Sequence, residues 1–408
     1  MKNIWFISKY ASPPRYSKAP SRLFHLANEF SRFGSNVTLI TSDSNHFSNF
    51  PKSSRIFNEE KIEGVNLIWI KTLKYTKTAS FRRILSWIDF EIKLFLLRII
   101  NKPKPDVIIV SSLSILSIIY GIYIKKRYKS FLVFEIRDIW PLTMTEEGGF
   151  SRYNPLVYII GLVEKFGYRN SDLIVGTMPK LNNHVMNRIG YEKPFFCSPL
   201  GFNPDQYITN SIKVNNPFHY LLDNKKTIIG YAGSMGITNA LEPFIDAIKK
   251  MYLNTNLNFI LVGSGDLKKK YEDELKNYNN VTFIPRISQD DVKYFLEICD
   301  ILYLSTKDSK VWEYGQSMNK IVEYMIAGKP IIASYTGYQS MINEAGCGIF
   351  ISSVNSDDIK DALLLYSSKS KEELNEIGKN GKKWIYNNRT YEKLAKEYIC
   401  KINSLIKK

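Results

Sequence analysis

The chain has only four cysteines in 408 residues, Cys197, Cys299, Cys347 and Cys400, and no CxxC pair among them. That scarcity argues against a disulfide framework or a cysteine zinc site and suits reduced, buried thiols in the cytosol. The four histidines, His25, His46, His184 and His219, stand at no ligand spacing, and no Asp-x-Asp pair follows a strand-like run. Metal-independent chemistry with no cofactor is therefore the expectation. G-x-S-x-G and Walker loops are missing too, which removes the serine-hydrolase and P-loop readings. The opening MKNIWFISKY has neither the basic start nor the cleavage site of a secretory signal. Residues 107–124 form an uncharged run of spanning length, but β-branched residues lead it and serines at 111, 112, 114 and 117 interrupt it. It reads as a buried strand handing over to a buried helix.

Positive charge is abundant. Lys and Arg number 56 against 39 Asp and Glu, a net +17. Residues 1–200 hold 29 against 15 and the remainder 27 against 24, so the excess sits in the first half. Such a field calls for an anionic partner, phospholipid or phosphorylated substrate. No RNA- or DNA-reading motif accompanies it, so nucleic acid is not expected. Residues 80–104 put Phe81, Ile84, Leu85, Ile88, Ile92 and Phe95 on one helical face, beside Arg82, Arg83, Lys93 and Arg98. Trp87 suits a headgroup boundary. A helix packed on a sheet would show the same pattern; the surrounding charge favours an anionic membrane surface.

The length suits two domains of about 200 residues. Short apolar runs alternate with helical patterns, the mark of parallel sheets with crossover helices. Strands are expected at 4–8, 37–41, 67–70, 107–110, 131–136 and 173–175, with a helix over 22–33 closed by Gly34. A second series follows at 228–232, 258–262, 281–284, 301–304, 330–333 and 348–351. The expectation is an α/β protein of two Rossmann-like, doubly wound domains, 1–200 and 201–390, facing a central cleft. A last helix, 391–408, is expected to pack back on the first domain.

The most informative segment is YGQSMNKIVEYMIAGKPII, residues 314–332. Ser317 or Asn319 can cap a helix running to Ala327 and stopped by Gly328 and Pro330. Lys320 and Glu323 share one face near its start. Free N–H groups, the helix dipole and Lys320 suit a diphosphate, and Glu323 can accept from the paired hydroxyls of a ribose. A solvated Lys–Glu pair is the alternative reading.

This segment resembles the nucleotide-binding signature of family 4 retaining glycosyltransferases of the GT-B fold. That family's E-x7-E pattern puts its second glutamate at Glu323 and its first at position 315, where this chain has Gly315. The opening YASPPRYSKAPSRLFHLANEF is similar to the family's first loop and helix, with Ser17, Lys18 and Ala19 where glycines are usual. EIRDIWP, at 135–141, looks like the R-D-x-W-P segment of bacterial transferases that add fucosamine-type sugars to lipid-linked oligosaccharides. YAGSMG and LVGSG match the same surface-polysaccharide branch.

The resemblance implies a transferase moving a sugar from a nucleotide-sugar, UDP-linked by expectation, to a polyprenyl-diphosphate-linked glycan in O-antigen or capsule assembly. It implies work in the cytoplasm, peripheral at the inner face of the membrane. Gly233, Ser234 and Gly236 are implied to meet the diphosphate through backbone N–H groups, and Arg286 and Ile287 to contact the base. Lys320 and Glu323 are implied to serve both nucleotide binding and catalysis. Asp138 with Arg137 is placed nearest the reaction centre, and Lys18 and Arg22 on the acceptor's phosphate. A nucleotide-sugar epimerase on the same fold, or a non-catalytic nucleotide- or lipid-binding protein, are the rival readings.

Overall fold

The computed structural model describes residues 2–17, 21–44, 53–75, 81–97, 102–207, 216–222, 225–351 and 355–406. Lys18 and Arg98 lie outside them. The chain divides into two units, Met1–Asn203 with Arg389–Lys408, and Pro204–Asn388.

The first unit is built on an eight-stranded sheet with β1 (Asn3–Ile7), β2 (Asn36–Ser42), β3 (Phe57–Ile62), β4 (Val65–Ile70), β5 (Val107–Ser111), β6 (Phe131–Ile136), β7 (Leu173–Gly176) and β8 (Phe195–Cys197). Their order is β3-β4-β2-β1-β5-β6-β7-β8, parallel except for β3 against β4. The central strands are buried on both faces, hence their unbroken apolar runs. Strands β3 and β8 were absent from the expected set. Strand β3, FNEEKI, is a polar edge joined to β4 by the two-residue turn Glu63–Gly64, both at positive φ. Its charged side chains hide it from a hydropathy pattern and blunt the edge.

Helices α1 (Arg22–Arg32), α2 (Phe81–Leu96), α3 (Ser117–Tyr128), α4 (Leu142–Glu146), α5 (Pro155–Asn170) and α6 (Leu181–Ile189) cover this sheet. Ser21 caps α1 by accepting from the Phe24 N–H, and Leu23, Leu26, Ala27 and Phe30 pack inward.

The second unit has six parallel strands, β9 (Thr227–Ala232), β10 (Leu257–Val262), β11 (Val281–Ile284), β12 (Ile301–Ser305), β13 (Ile331–Ser334) and β14 (Gly348–Ile351), in the order β11-β10-β9-β12-β13-β14. Its helices are α7 (Glu242–Lys250), α8 (Lys268–Leu275), α9 (Gln289–Ile298), α10 (Asn319–Ala327), α11 (Ile342–Ala345), α12 (Ser356–Ser367) and α13 (Lys371–Asn388). The strand order reverses between β9 and β12, so the loops after those strands border the switch point where open α/β sheets take ligands.

Helix α14 (Tyr391–Ile406) belongs to the first unit, where Leu394, Ala395, Tyr398 and Ile402 join the core beside α1. Among the described residues no helix is long and apolar enough to cross a membrane.

Candidate functional site

The expected donor residues gather at the C-terminal edge of the second sheet. There the loop after β9 lies against the loop after β10. The Gly233 N–H donates to the Val262 carbonyl and the Met235 N–H to the Ser264 carbonyl, both at 2.9 Å. A Cβ on Gly263 would fall 1.8 Å from the Gly233 carbonyl oxygen, and one on Gly265 2.4 Å from that of Met235. Only glycine permits two loops to run this close. The expected role of Gly233 as a free donor is corrected by this pairing, because its N–H is already used. Ser234 and Gly236 keep backbone N–H groups with no acceptor among the described residues.

Gly233 contributes room instead. A Cβ there would stand 2.5 Å from Lys320 Nζ. The Lys320 ammonium sits 4.4 Å above the Tyr231 ring and donates to Tyr231 Oη (3.2 Å) and Asn239 Oδ1 (3.3 Å). Tyr231 in turn donates to the Ser234 carbonyl at 2.6 Å, which ties the ring to the loop. One turn beyond Lys320, Tyr324 Oη accepts from the Ala232 N–H at 3.0 Å and pins α10 to β9.

Neither expected cap is used. Met318 occupies the cap position of α10 and offers no side-chain acceptor, since the helix begins one residue later than a Ser317 cap requires and Asn319 is already inside it. The N–H groups of Asn319, Lys320 and Ile321 therefore find no acceptor among the described residues. An uncapped helix start beside a half-buried ammonium offers free donors and positive charge to an anion.

Glu323 shares the face with Lys320 without an ion pair between them. Burial lowers the Lys320 ammonium to about 8, although Glu323 opposes the shift. Burial also raises the Glu323 carboxyl to about 7 against the pull of Lys320. Both groups thus change charge near neutrality. Just before the helix, the side-chain amide of Gln316 is buried with neither its oxygen nor its nitrogen bonded. Arg286, exposed, and Ile287, half-buried, lie on the loop after β11, and Arg286 makes no polar contact among the described residues.

The first unit gives a different answer. The expectation that Arg22 faces an acceptor phosphate fails, because its guanidinium is buried and held by internal partners. It pairs with Glu135 Oε2 at 2.8 Å and donates to the Ser198 carbonyl (2.6 Å), Ser198 Oγ (2.8 Å) and the Pro199 carbonyl (3.2 Å). Two residues on from Glu135, past the end of β6, Arg137 and Asp138 are half-buried and make no ion pair with each other. Burial pushes the Asp138 carboxyl up and the Arg137 guanidinium down, the latter helped by the nearby Arg22 charge. Their backbones are fixed, with the Arg137 N–H on Ser112 Oγ at 3.0 Å and its carbonyl accepting from Thr177 at 3.2 Å. Among the described residues, the Arg137 side chain thus has no ion pair or hydrogen bond.

Sequence reasoning missed Tyr231, Asn239, Gln316 and Tyr324. The two tyrosines read as core aromatics, and only their hydroxyl contacts across β9 and α10 reveal their part. Among the described residues no group of three or more His, Cys, Asp or Glu is placed to hold a metal ion.

Two units of this construction make the two-domain α/β fold of GT-B type, which the similar solved structures share. Residues 213–384, inside the second unit, match the model of the family Glycosyl transferases group 1. A stretch of 209 residues is 24% identical to an uncharacterized glycosyltransferase of Methanocaldococcus jannaschii, covering 49% of this chain and 51% of that protein. The match thus spans about half the length of this curated relative. Among solved structures, a sucrose-phosphate synthase from Thermosynechococcus elongatus is similar with a TM-score of 0.72 at 16% identity, over 100% of this chain and 99% of that one. Anabaena Alr3699/HepE, solved in complex with UDP and glucose, aligns with a TM-score of 0.65 at 13% identity, over 99% and 100%. At such identities the likeness is one of fold. The part of the chain that matches this family is thus confined to the second unit.

Proposed function

We propose that this chain is a retaining glycosyltransferase that moves a sugar from a UDP-sugar to a polyprenyl-diphosphate-linked glycan in surface polysaccharide assembly. One observation carries the donor half: the uncapped start of α10, with the Lys320 ammonium held over Tyr231 against Gly233. The diphosphate binds Lys320, the first-turn N–H groups and those of Ser234 and Gly236. Glu323 accepts from the ribose hydroxyls, and Arg286 and Ile287 contact the base. A protein of the same fold, Anabaena HepE, is solved with UDP, which supports uridine. The resemblance of residues 135–141 to fucosamine-type transferases supports the acceptor class and an amino-sugar donor.

In the transfer the bond between the anomeric carbon and the diphosphate oxygen breaks. Negative charge grows on that oxygen, where Lys320 and the helix start stabilise it. The acceptor hydroxyl bonds the anomeric carbon on the same face, and its proton passes to the departing diphosphate oxygen. No covalent enzyme intermediate forms. Arg137 takes the acceptor-phosphate role first expected of Arg22, since an arginine holds phosphate but cannot act as a base at neutral pH. Asp138 orients the attacking hydroxyl. The enzyme works in the cytoplasm at the inner face of an anionic membrane.

Purified protein mixed with nucleotide-sugars and with either polyprenyl-diphosphate glycans or sugar phosphates tests the proposal. Consumption of one UDP-sugar only in the presence of a lipid-linked acceptor is expected. Transfer to sugar phosphates alone would overturn the acceptor class. Donor conversion without acceptor would favour an epimerase, and wild-type transfer by Lys320→Ala/Glu323→Ala would remove the donor site.

A further inference from the structure

Helix α2 is apolar on its outward side as well as its inward one. Its inward side buries Phe90 and Leu94 and is also held by polar contacts. Lys9 Nζ donates to Ser86 Oγ (3.0 Å), Ser114 and Ser117 donate to Glu91 (2.6 and 2.7 Å), Trp87 donates to Tyr10 Oη, and Asp89 accepts from the Leu73 N–H (2.9 Å). Its outward side is apolar, with Phe81 72%, Ile92 57%, Phe95 49% and Leu96 59% exposed. An ordinary amphipathic helix on a sheet turns charged and polar residues outward.

Helix α5 repeats the pattern, with Val157 and Ile160 buried beside a polar cluster. Glu164 is fully buried and bonded to Tyr168, His184 and Arg188, while Tyr158, Ile159, Leu162 and Phe166 are exposed. Helix α3 packs between the two, with Ile119 and Tyr123 exposed and the Tyr123 ring 5.7 Å from that of Phe95. All three lie on one face of the sheet. Gly121 of α3 abuts Val110 and Leu132, and Gly167 of α5 abuts Phe134. These strand residues alternate with Ile109 and Val133, which pack in the α1–α14 core. Lys9, beneath α2, shares the parity of Trp5 and Ile7, opposite to Ile4 and Phe6 of that core.

The charge on this face has one sign. Of the acids in these helices, Glu91 and Glu164 are buried and Asp89 pairs with Lys93 at 2.8 Å. Arg82, Lys126, Lys165 and Arg169 have no acidic partner among the described residues. A second copy seated by two-fold symmetry would set like charges against each other. Apolar side chains ringed by cations complement an anionic bilayer.

We propose that the α2–α3–α5 face of the first unit docks on an anionic lipid bilayer, its aromatic and aliphatic side chains entering the headgroup region. This deepens the membrane part of the proposed function and rests on that reading for the choice of lipid. The test is cosedimentation of the full chain with phosphatidylcholine vesicles with and without phosphatidylglycerol. Binding that needs phosphatidylglycerol and weakens with salt is expected. Ile92→Ser/Phe95→Ser and, separately, Ile159→Ser/Leu162→Ser should each weaken it about tenfold or more at an unchanged melting temperature. Unaltered binding by the α5 variant overturns the shared face. A dimer in sedimentation velocity that the same substitutions dissolve assigns the face to a second copy and overturns the bilayer. Stabilisation by UDP, measured in parallel, separates the two readings. UDP stabilisation without vesicle binding overturns the docking face and leaves the donor site standing, whereas vesicle binding without UDP stabilisation supports docking and counts against the donor site.

Discussion

Each unit has a basic residue in the first turn of a helix beside its parallel sheet, Arg22 in α1 and Lys320 in α10. Arg22 is enclosed by Glu135, Ser198 and Pro199, and its helix is capped by Ser21. Lys320 has two long hydrogen bonds and a ring, and its helix has no side-chain cap. The same residue class at the same place in a Rossmann-like unit thus serves cohesion in one unit and is left available in the other. A helix-start cation is a binding candidate when its bonding is unfinished, and the unfinished bonding, not the charge, is what distinguishes α10.

The sharpest way to break the comparison is Arg22→Ala. It leaves Glu135 as an unpaired buried charge and should cost about 3–5 kcal/mol, read as a fall in urea midpoint. A loss under about 1 kcal/mol would mean Arg22 is not structural. Lys320→Ala should do the opposite. Turnover falls about 100- to 1000-fold while the melting temperature holds, because an ammonium lowered by burial contributes little to folding. Unfolding comparable to that of Arg22→Ala would make the two residues alike.

Glycine variants sharpen the picture further. At Gly263 a Cβ meets backbone oxygen at 1.8 Å, which cannot yield, so Gly263→Ala should destabilise by about 2 kcal/mol or more. At Gly233 the obstacle is the far end of Lys320, which can move. Gly233→Ala should therefore fold nearly normally and raise the donor KM about tenfold as the ammonium is displaced. Equal stability losses for the two would refute the assigned roles.

The smallest effect is on pH dependence. Lys320 loses its charge as pH rises through about 8, and Glu323 loses its charge as pH falls through about 7. Donor KM should be lowest between these values and rise on both sides by up to about tenfold per unit. Glu323→Gln should remove the acid limb only, as steady-state kinetics across pH would register.

Much of the fold was legible in the sequence. The apolar runs of the parallel strands and the 22–33 helix fall where the expected elements do, because burial on both faces leaves a periodic trace. Strand β3 left none, being a charged edge fixed by the Glu63–Gly64 turn. The Lys320–Glu323 spacing was legible since both lie on one helix. The burial of Arg22 was not, as its partners come from residues 135 and 198–199, far along the chain. For the same reason, no local pattern announces that Val262 takes the Gly233 N–H, or that Tyr324 reaches back to β9.

The claim beneath all of this is that Lys320 and Glu323 hold a donor's diphosphate and ribose. Calorimetric titration of UDP into the wild type and into Lys320→Ala/Glu323→Ala tests it most directly. The account predicts that affinity falls at least about thirtyfold while the variant keeps the wild-type melting temperature without ligand. The same UDP affinity in both proteins would contradict it.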